Sequence, residues 1–299
     1  MRTQTFSDRI FFDLSACVKL RVTGADRVRF LNGQITNDIR KATGTRALEA
    51  CVLNAKGKMD AHLFVRADGD AFLIDADAAL APTLQARLER YIIADDVQIE
   101  DVTAQLSIFH VIGEETPSRL SVERSISADR FGRAGEDIWC QAERHDQIKA
   151  ELAKQFHFCD EECAERYRIE QGIPRWGYEL SNEIIPVEAN LEERCIDYEK
   201  GCYIGQETIS RMKMSGQRNK QLRGLVSQSG VALASRMRLW AAPEDKDAGW
   251  ITSAVQSAGG QIALGFVRRG FNTPGTKLDA LSDGGARAPV EVVDLPFSR

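Results

Sequence analysis

No apolar run in this 299-residue chain is long enough to span a bilayer. The opening residues, Met1 to Asp8, are polar and lack the apolar core of a secretory signal. Histidine is scarce: the four at 62, 110, 145 and 157 are scattered, which gives little support to a metal centre or a Ser-His-Asp hydrolase. There is no G-x-G-x-x-G, no P-loop, no H-E-x-x-H and no G-x-S-x-G. The seven cysteines are odd in number, include no C-x-x-C and follow no disulfide framework. Most are expected to be small buried hydrophobes or inert thiols. Cys159 and Cys163 stand at i, i+4 and could share a helix face, but without a nearby histidine they make a poor metal site. These absences lead to the expectation of a cytoplasmic protein with no membrane partner and no metal.

With 28% charged and 43% hydrophobic residues, the composition is that of a globular protein and excludes disorder and fibrous architectures. The length suits two or three domains, each able to bury its own core. The net charge of −5 argues against a surface wholly devoted to nucleic acid. Acid is nevertheless missing between Glu207 and Glu244, where Arg211, Lys213, Arg218, Lys220, Arg223, Arg236 and Arg238 occur. That strip reads either as a solvated face or as an anion-binding surface.

Val18, Leu20 and Val22 alternate with polar residues, as in a half-buried strand, and Asp26 is placed to cap a short helix carrying Val28, Phe30 and Leu31 that stops at Asn32-Gly33. Leu48, Ala50 and Val52, the turn Asn54 to Gly57 and the run Met59 to Val65 predict a hairpin. Asp68-Gly69-Asp70 turns the chain into a third strand, Ala71 to Asp75. Leu84, Leu88, Tyr91 and Ile92 have helical spacing after Pro82, and two strands follow near Val97 to Ile99 and Leu106 to Ile112. Strands and helices without regular β-α-β alternation point to an α+β fold. Further helices are predicted from about Glu161 to Ile169 and from near Gly205 through Ile209 and Met212. After Gly216 six short β-like runs begin at Leu222, Met237, Gly249, Gln261, Thr276 and Pro289, the pattern of a small antiparallel sandwich or barrel. The domain boundary is placed near residue 220.

Three stretches have chemical interest. In Lys200-Gly201-Cys202-Tyr203-Ile204-Gly205-Gln206-Glu207 a thiol lies between two glycines ahead of a helix start, with Lys200 close by. The helix dipole and the lysine would both favour thiolate; the alternative is a buried cysteine in a glycine-rich turn. In Arg168-Ile169-Glu170-Gln171-Gly172, Glu170 ends a helix beside a sharp turn, either as an exposed carboxylate or as one presented to paired N–H donors. In Lys58-Met59-Asp60-Ala61-His62, Asp60 and His62 share a strand face, as an oriented base pair or as ordinary surface residues.

Together these stretches resemble the YgfZ-type folate-binding proteins, relatives of the glycine cleavage T-protein. Lys200 to Glu207 matches the K-G-C-Y-x-G-Q-E signature at every position. Gly24-Ala25-Asp26, then Phe30-Leu31-Asn32-Gly33-Gln34 and Asn37-Asp38, are similar to the shared N-terminal motif. Arg168 to Gly172 and Pro186 to Ala189 are similar to the R-x-E-x-G and P-x-E motifs, and Thr252-Ser253 with Leu264-Gly265 to the C-terminal barrel. The resemblance implies a three-domain ring of the T-protein type around a folate channel. Residues 1–220 would form the folate-binding region, as two interleaved subdomains (about 1–45 with 155–220, and 46–154), and 221–299 the barrel. It implies tetrahydrofolate or a one-carbon derivative as cofactor, with Glu170 holding the pterin ring. Arg168, Asn32, Gln34, Lys200, Tyr203 and Gln206 extend the cofactor-binding set, and Arg211 and Arg223 are candidates for the anionic tail.

The chain departs from the T-protein at its catalytic carboxylate. Aligned from Gly57, that position is His62, with Asp60 two residues earlier on the same face. The expected function is therefore that of a folate-binding accessory factor with Cys202 as functional thiol, whose partners are iron–sulfur client or assembly proteins, including tRNA-modifying enzymes. The alternatives are a folate-dependent aminomethyltransferase, using Asp60 or His62, and an RNA-binding module using the basic strip.

Overall fold

The structure, a computed structural model, describes residues 9–113, 124–241, 246–257, 259–282 and 284–297; the polar stretch Met1 to Asp8 lies outside them. Among the described residues no helix is long and apolar enough to cross a membrane. The chain divides into two compact units, Met1–Ala164 with Glu193–Thr208, and Glu165–Glu192 with Ile209–Arg299.

Among the described residues the first unit holds ten strands: β1 (Ile10–Asp13), β2 (Val18–Thr23), β3 (Leu48–Leu53), β4 (Met59–Asp68), β5 (Ala71–Ala76), β6 (Gln98–Asp101), β7 (Leu106–Ile112), β8 (Arg124–Ala128), β9 (Gly135–Gln141) and β10 (His157–Cys159). They form two five-stranded sheets, in the orders β10-β1-β7-β9-β8 and β3-β4-β5-β2-β6. Among these strands only the β1–β10 pair is parallel, so this unit is α+β, as its irregular alternation predicts. Helices α1 (Arg27–Gln34), α2 (Leu84–Glu89) and α3 (His145–Leu152) accompany the sheets.

The predicted hairpin is present as β3–β4. Its turn is organised by Asn54, whose Oδ1 accepts from the backbone N–H groups of Lys56 and Lys58. Three local expectations need correction. Helix α1 runs through Asn32-Gly33 to Gln34. Asp26 stands at its N-cap without capping it, because the carboxylate accepts from the Asp96 N–H and pairs with Arg29. Helix α2 ends at Glu89, so Tyr91 is exposed, with the Arg87 guanidinium over its ring.

The cysteine reading is also corrected. Cys159 lies on β10 and Cys163 on helix α4 (Glu161–Glu170), and the two form a disulfide across this strand–helix corner. They do not share a helix face, so their sequence spacing misled.

Helices α5 (Glu192–Cys195) and α6 (Gln206–Ser215), like α4, run from one unit into the other. The second unit is built on β11 (Lys220–Ser227), β12 (Arg238–Ala241), β13 (Lys246–Ser257), β14 (Gly260–Arg268), β15 (Lys277–Leu281) and β16 (Arg287–Val293), all six where the turn-punctuated pattern places them. They close into an antiparallel barrel in the order β11-β14-β13-β12-β15-β16. Leu225, Leu239, Ile251, Val267, Leu278 and Val292 fill its core, each contributing about 1.5–3 kcal/mol by burial. Gly249 is required here: it has φ of 140°, and a Cβ would stand 2.0 Å from the Phe266 carbonyl oxygen.

Candidate functional site

The glycine-bracketed cysteine stretch is docked residue by residue against the first unit. Lys200 reaches inward and donates to the carbonyl oxygens of Asn32 (2.6 Å), Ile35 (2.5 Å) and Asn37 (2.9 Å). Burial pulls its ammonium down to about 8, against the charges of Asp38 and Asp197, and the three carbonyls accept its hydrogen bonds. Tyr203 is buried beneath this ammonium, 4.9 Å from ring centroid to Nζ, and burial pushes its hydroxyl up to about 12. The Ile204 N–H donates to the Gly33 carbonyl. Gly205 has φ of 84° and lies on the β3–β4 turn, where a Cβ would stand 2.6 Å from the Asn54 oxygen. Gln206 then begins α6.

Cys202 is left outside this anchoring. It is the exposed cysteine among five free ones; Cys51, Cys140 and Cys195 are buried and Cys17 is intermediate. The sequence reading of Lys200 as a charge beside the thiol gives way to a structural role, because its three protons are held by the segment 32–37. Asn32 and Gln34 are likewise engaged internally. Asn32 Oδ1 accepts from the Ile39 N–H, and Gln34 Oε1 accepts from Arg87 Nη1.

Asp60 and His62 share a face of β4 but not a partner. Asp60 is bonded to Arg87 Nε at 2.5 Å, while His62 Nε2 bonds Glu49 Oε1 at 2.8 Å. The oriented Asp–His pair, one of the two readings that strand periodicity left open, is therefore absent: each is drawn to a group on another element. Burial works against charge on His62, yet hydrogen bonds to Cys195 and Glu49 raise its imidazole to about 10. Burial holds the Cys195 thiol itself well above its ordinary value, so the Glu49 carboxylate is the charge behind that rise.

In the second unit Arg168 is buried, and all five of its donors are occupied. Nε and Nη2 hold Glu165, Nη1 reaches Glu179 Oε2 (2.9 Å) and the Ile173 carbonyl (3.2 Å), and Nη2 also donates to Ser253 Oγ (2.7 Å). It fixes the end of α4, with every donor engaged inside the protein. Glu170, the last residue of α4, is different. Its backbone carbonyl accepts from the Phe297 N–H, but among the described residues its half-buried carboxylate takes no hydrogen bond. Burial raises its pKa, against the charge of Arg166. Such a carboxylate is disposed to accept N–H donors.

The acid-free strip is not acid-free in space. Arg218 pairs with Glu192, Lys220 with Glu188, Arg223 with Asp294 and Arg238 with Asp247. Arg211 is exposed on α6. Beside the end of α6 lies a cavity of about 340 Å³ whose lining includes Lys213, Arg218, Gln217 and Arg269. Arg269 was missed because it lies in the β-rich region, far along the chain from the strip.

Sequence reasoning also missed a buried cluster in the first unit. Glu49, His62 and Cys195 each offer a donor atom within 4.8 Å of the others, and the Cys51 thiol interacts with Cys195. The one available signal was that Glu49 and Cys51 share a strand face opposite His62; nothing in the spacing announced Cys195.

The GCVT N-terminal domain family matches residues 4–132, and the glycine cleavage T-protein C-terminal barrel domain family matches residues 220–298. The tRNA-modifying protein YgfZ of Yersinia pestis (strain Pestoides F) is 29% identical over 93% of this chain and 89% of its own length. An uncharacterised protein of Haemophilus influenzae is 28% identical over 83% of this chain and 85% of its own. Among solved structures, the glycine cleavage system aminomethyltransferase T of Bartonella henselae superposes with a TM-score of 0.84, covering 98% of this chain and 87% of its own at 18% identity. That likeness establishes a common fold.

Proposed function

Because this chain belongs to the YgfZ-type branch of the glycine cleavage T-protein family, we propose that it is a tetrahydrofolate-binding accessory factor for iron–sulfur proteins, among them enzymes that modify tRNA. The observation that carries this reading is the isolation of Cys202. Lys200, Tyr203 and Gly205, which anchor the signature loop, are turned toward protein, while the Cys202 thiol is exposed. An exposed thiol on a rigid mount suits transient contact with a client, as a nucleophile, a redox group or a cluster ligand. In a deletion strain assayed for iron–sulfur enzyme activity, wild type should rescue and Cys202→Ser should not. Full rescue by the serine variant would overturn the role of the thiol.

Glu170 supports the folate half of the reading. Its half-buried carboxylate, raised in pKa and without a hydrogen bond among the described residues, fits the paired N–H groups on the aminopyrimidine side of a pterin ring. Glu170→Ala should weaken reduced folate by about 1.5–3 kcal/mol, roughly ten- to a hundred-fold in Kd, as read by calorimetry. Unchanged affinity would remove Glu170 from the site. Arg269, in the lining of the 340 Å³ cavity, is the cation proposed for a carboxylate of a folate tail; Arg218 beside it is already paired with Glu192.

Aminomethyl transfer is less well supported. His62 stands at the family's carboxylate position, bonded to Glu49, and Asp60 is neutralised by Arg87. Neither supplies the free negative charge that would stabilise a developing cation. An RNA-binding role would require phosphates to displace the carboxylates already paired with Arg218, Lys220, Arg223 and Arg238.

A further inference from the structure

Strand β3 carries Glu49 and Cys51 on one face, and β4 places His62 directly across from Cys51. The end of α5 brings Cys195 onto the same face, so that Glu49, His62 and Cys195 present one oxygen, one nitrogen and one sulfur within 4.8 Å of one another. Cys51, outside that group of three, adds a second sulfur in contact with Cys195. The side chains come from three elements, and their backbones are tied together. Thr36 Oγ1 donates to the Cys195 carbonyl (2.6 Å) and accepts from the Cys51 N–H (2.9 Å). Asn37 Nδ2 donates to the carbonyls of both Glu49 (3.0 Å) and Arg194 (3.3 Å). Arg194 Nε in turn holds Glu49 Oε2 at 2.8 Å, leaving Oε1 for the cluster.

We propose that Glu49, His62 and Cys195, with Cys51 as the fourth donor, form a binding site for a divalent metal ion of the zinc class. Thiolate, imidazole and carboxylate are the ligand types zinc takes, whereas calcium and magnesium require oxygen cages. The charges close as well. Two thiolates and one carboxylate balance the ion together with the Arg194 guanidinium, so the buried site is neutral overall. Without the ion, a proton between His62 Nε2 and Glu49 Oε1 holds the same atoms at 2.8 Å; binding replaces that proton and those of the thiols. Carbonyl-fixed backbones and an arginine on the outer carboxylate oxygen are the kind of support that orients metal ligands. The site is closed to solvent, with Glu49 and His62 side chains 9% and 16% exposed and Cys195 fully buried, which suits a structural ion rather than a catalytic one.

The test uses the full-length chain, stripped with chelator and titrated with Zn²⁺ or Co²⁺. One equivalent should survive desalting, and the cobalt form should show tetrahedral d–d bands with a sulfur-to-metal charge-transfer band. Cys195→Ser and His62→Gln should each lower affinity at least ten- to a hundred-fold, Cys51→Ser should weaken the charge-transfer band, and Cys202→Ser should bind like wild type. Should the ligand variants fail to fold, X-ray absorption on wild-type zinc protein decides. Sulfur at about 2.3 Å with nitrogen or oxygen at about 2.0 Å supports the site. Failure of the wild type to retain an equivalent, a first shell without sulfur, or loss of binding in Cys202→Ser would overturn it.

Discussion

Cys195 and Cys202 are seven residues apart in one unit and carry the same side chain in opposite surroundings. Cys195 is fully buried, bonded to His62 and Cys51, and held by burial as a protonated thiol. Cys202 is exposed on a loop whose lysine, tyrosine and second glycine are all turned toward protein. The difference shows that cysteine chemistry here is set by what the neighbours do. Lys200, which looks in sequence like an activator of Cys202, is a structural clamp, and its clamping of residues 32–37 also helps to hold the segment bearing Thr36 against Cys195.

The largest expected effect that would break this contrast is on stability. Glu49→Ala leaves His62 and Arg194 buried without their shared carboxylate and should cost about 3–5 kcal/mol in denaturant unfolding. Cys202→Ser removes no contact of that kind and should stay within about 0.5 kcal/mol of wild type. Equal costs would mean that the buried cluster is not a support of the first unit.

A smaller effect should appear in thiol reactivity. Alkylation followed by peptide mapping should modify Cys202 first. Cys195 and Cys51 must wait for local opening, and if that costs about 3 kcal/mol they lag by roughly a hundred-fold. Cys17 sharpens the comparison because its residue is partly exposed while its thiol is not. Burial, aided by the Asp75 charge, pushes that thiol up to about 12, so its thiolate fraction at pH 9 is only about a thousandth. Cys17 should therefore remain slower than Cys202 across pH 7 to 9. Faster labelling of Cys17 would show that exposure of the residue matters more than the environment of its sulfur.

What could be read in the chain divides along physical lines. The six barrel strands and the β3–β4 hairpin were legible because alternation and turn residues are local signals. Strands β1, β8, β9 and β10 and helices α3 and α5 were not identified. β1 is only four residues, Ile10–Asp13, and three of them are buried, so alternation is lost; in β9 the charged Asp137 is buried, held by Arg130 and His110. Arg168 was legible as part of a motif but not as a residue with every donor occupied, since Glu179 and Ser253 come from remote segments. The disulfide was hidden because Cys159 is on a strand rather than on the helix that holds Cys163.

The sequence by itself determined the fold family, the positions of the barrel strands and the signature around Cys202. Those depend on residue type and on short-range spacing, which one chain displays in full. Only the tertiary structure decided which charges were already paired: the acid-free strip finds Glu188, Glu192, Asp247 and Asp294, while Asp60 and His62 turn to Arg87 and Glu49. It likewise decided that Cys195 joins Glu49 and His62 while Cys202 stands alone. The reason is that burial and pairing are properties of space. A charge or a thiol acquires its reactivity from groups that other elements of the fold bring to it, and the local pattern does not record their approach.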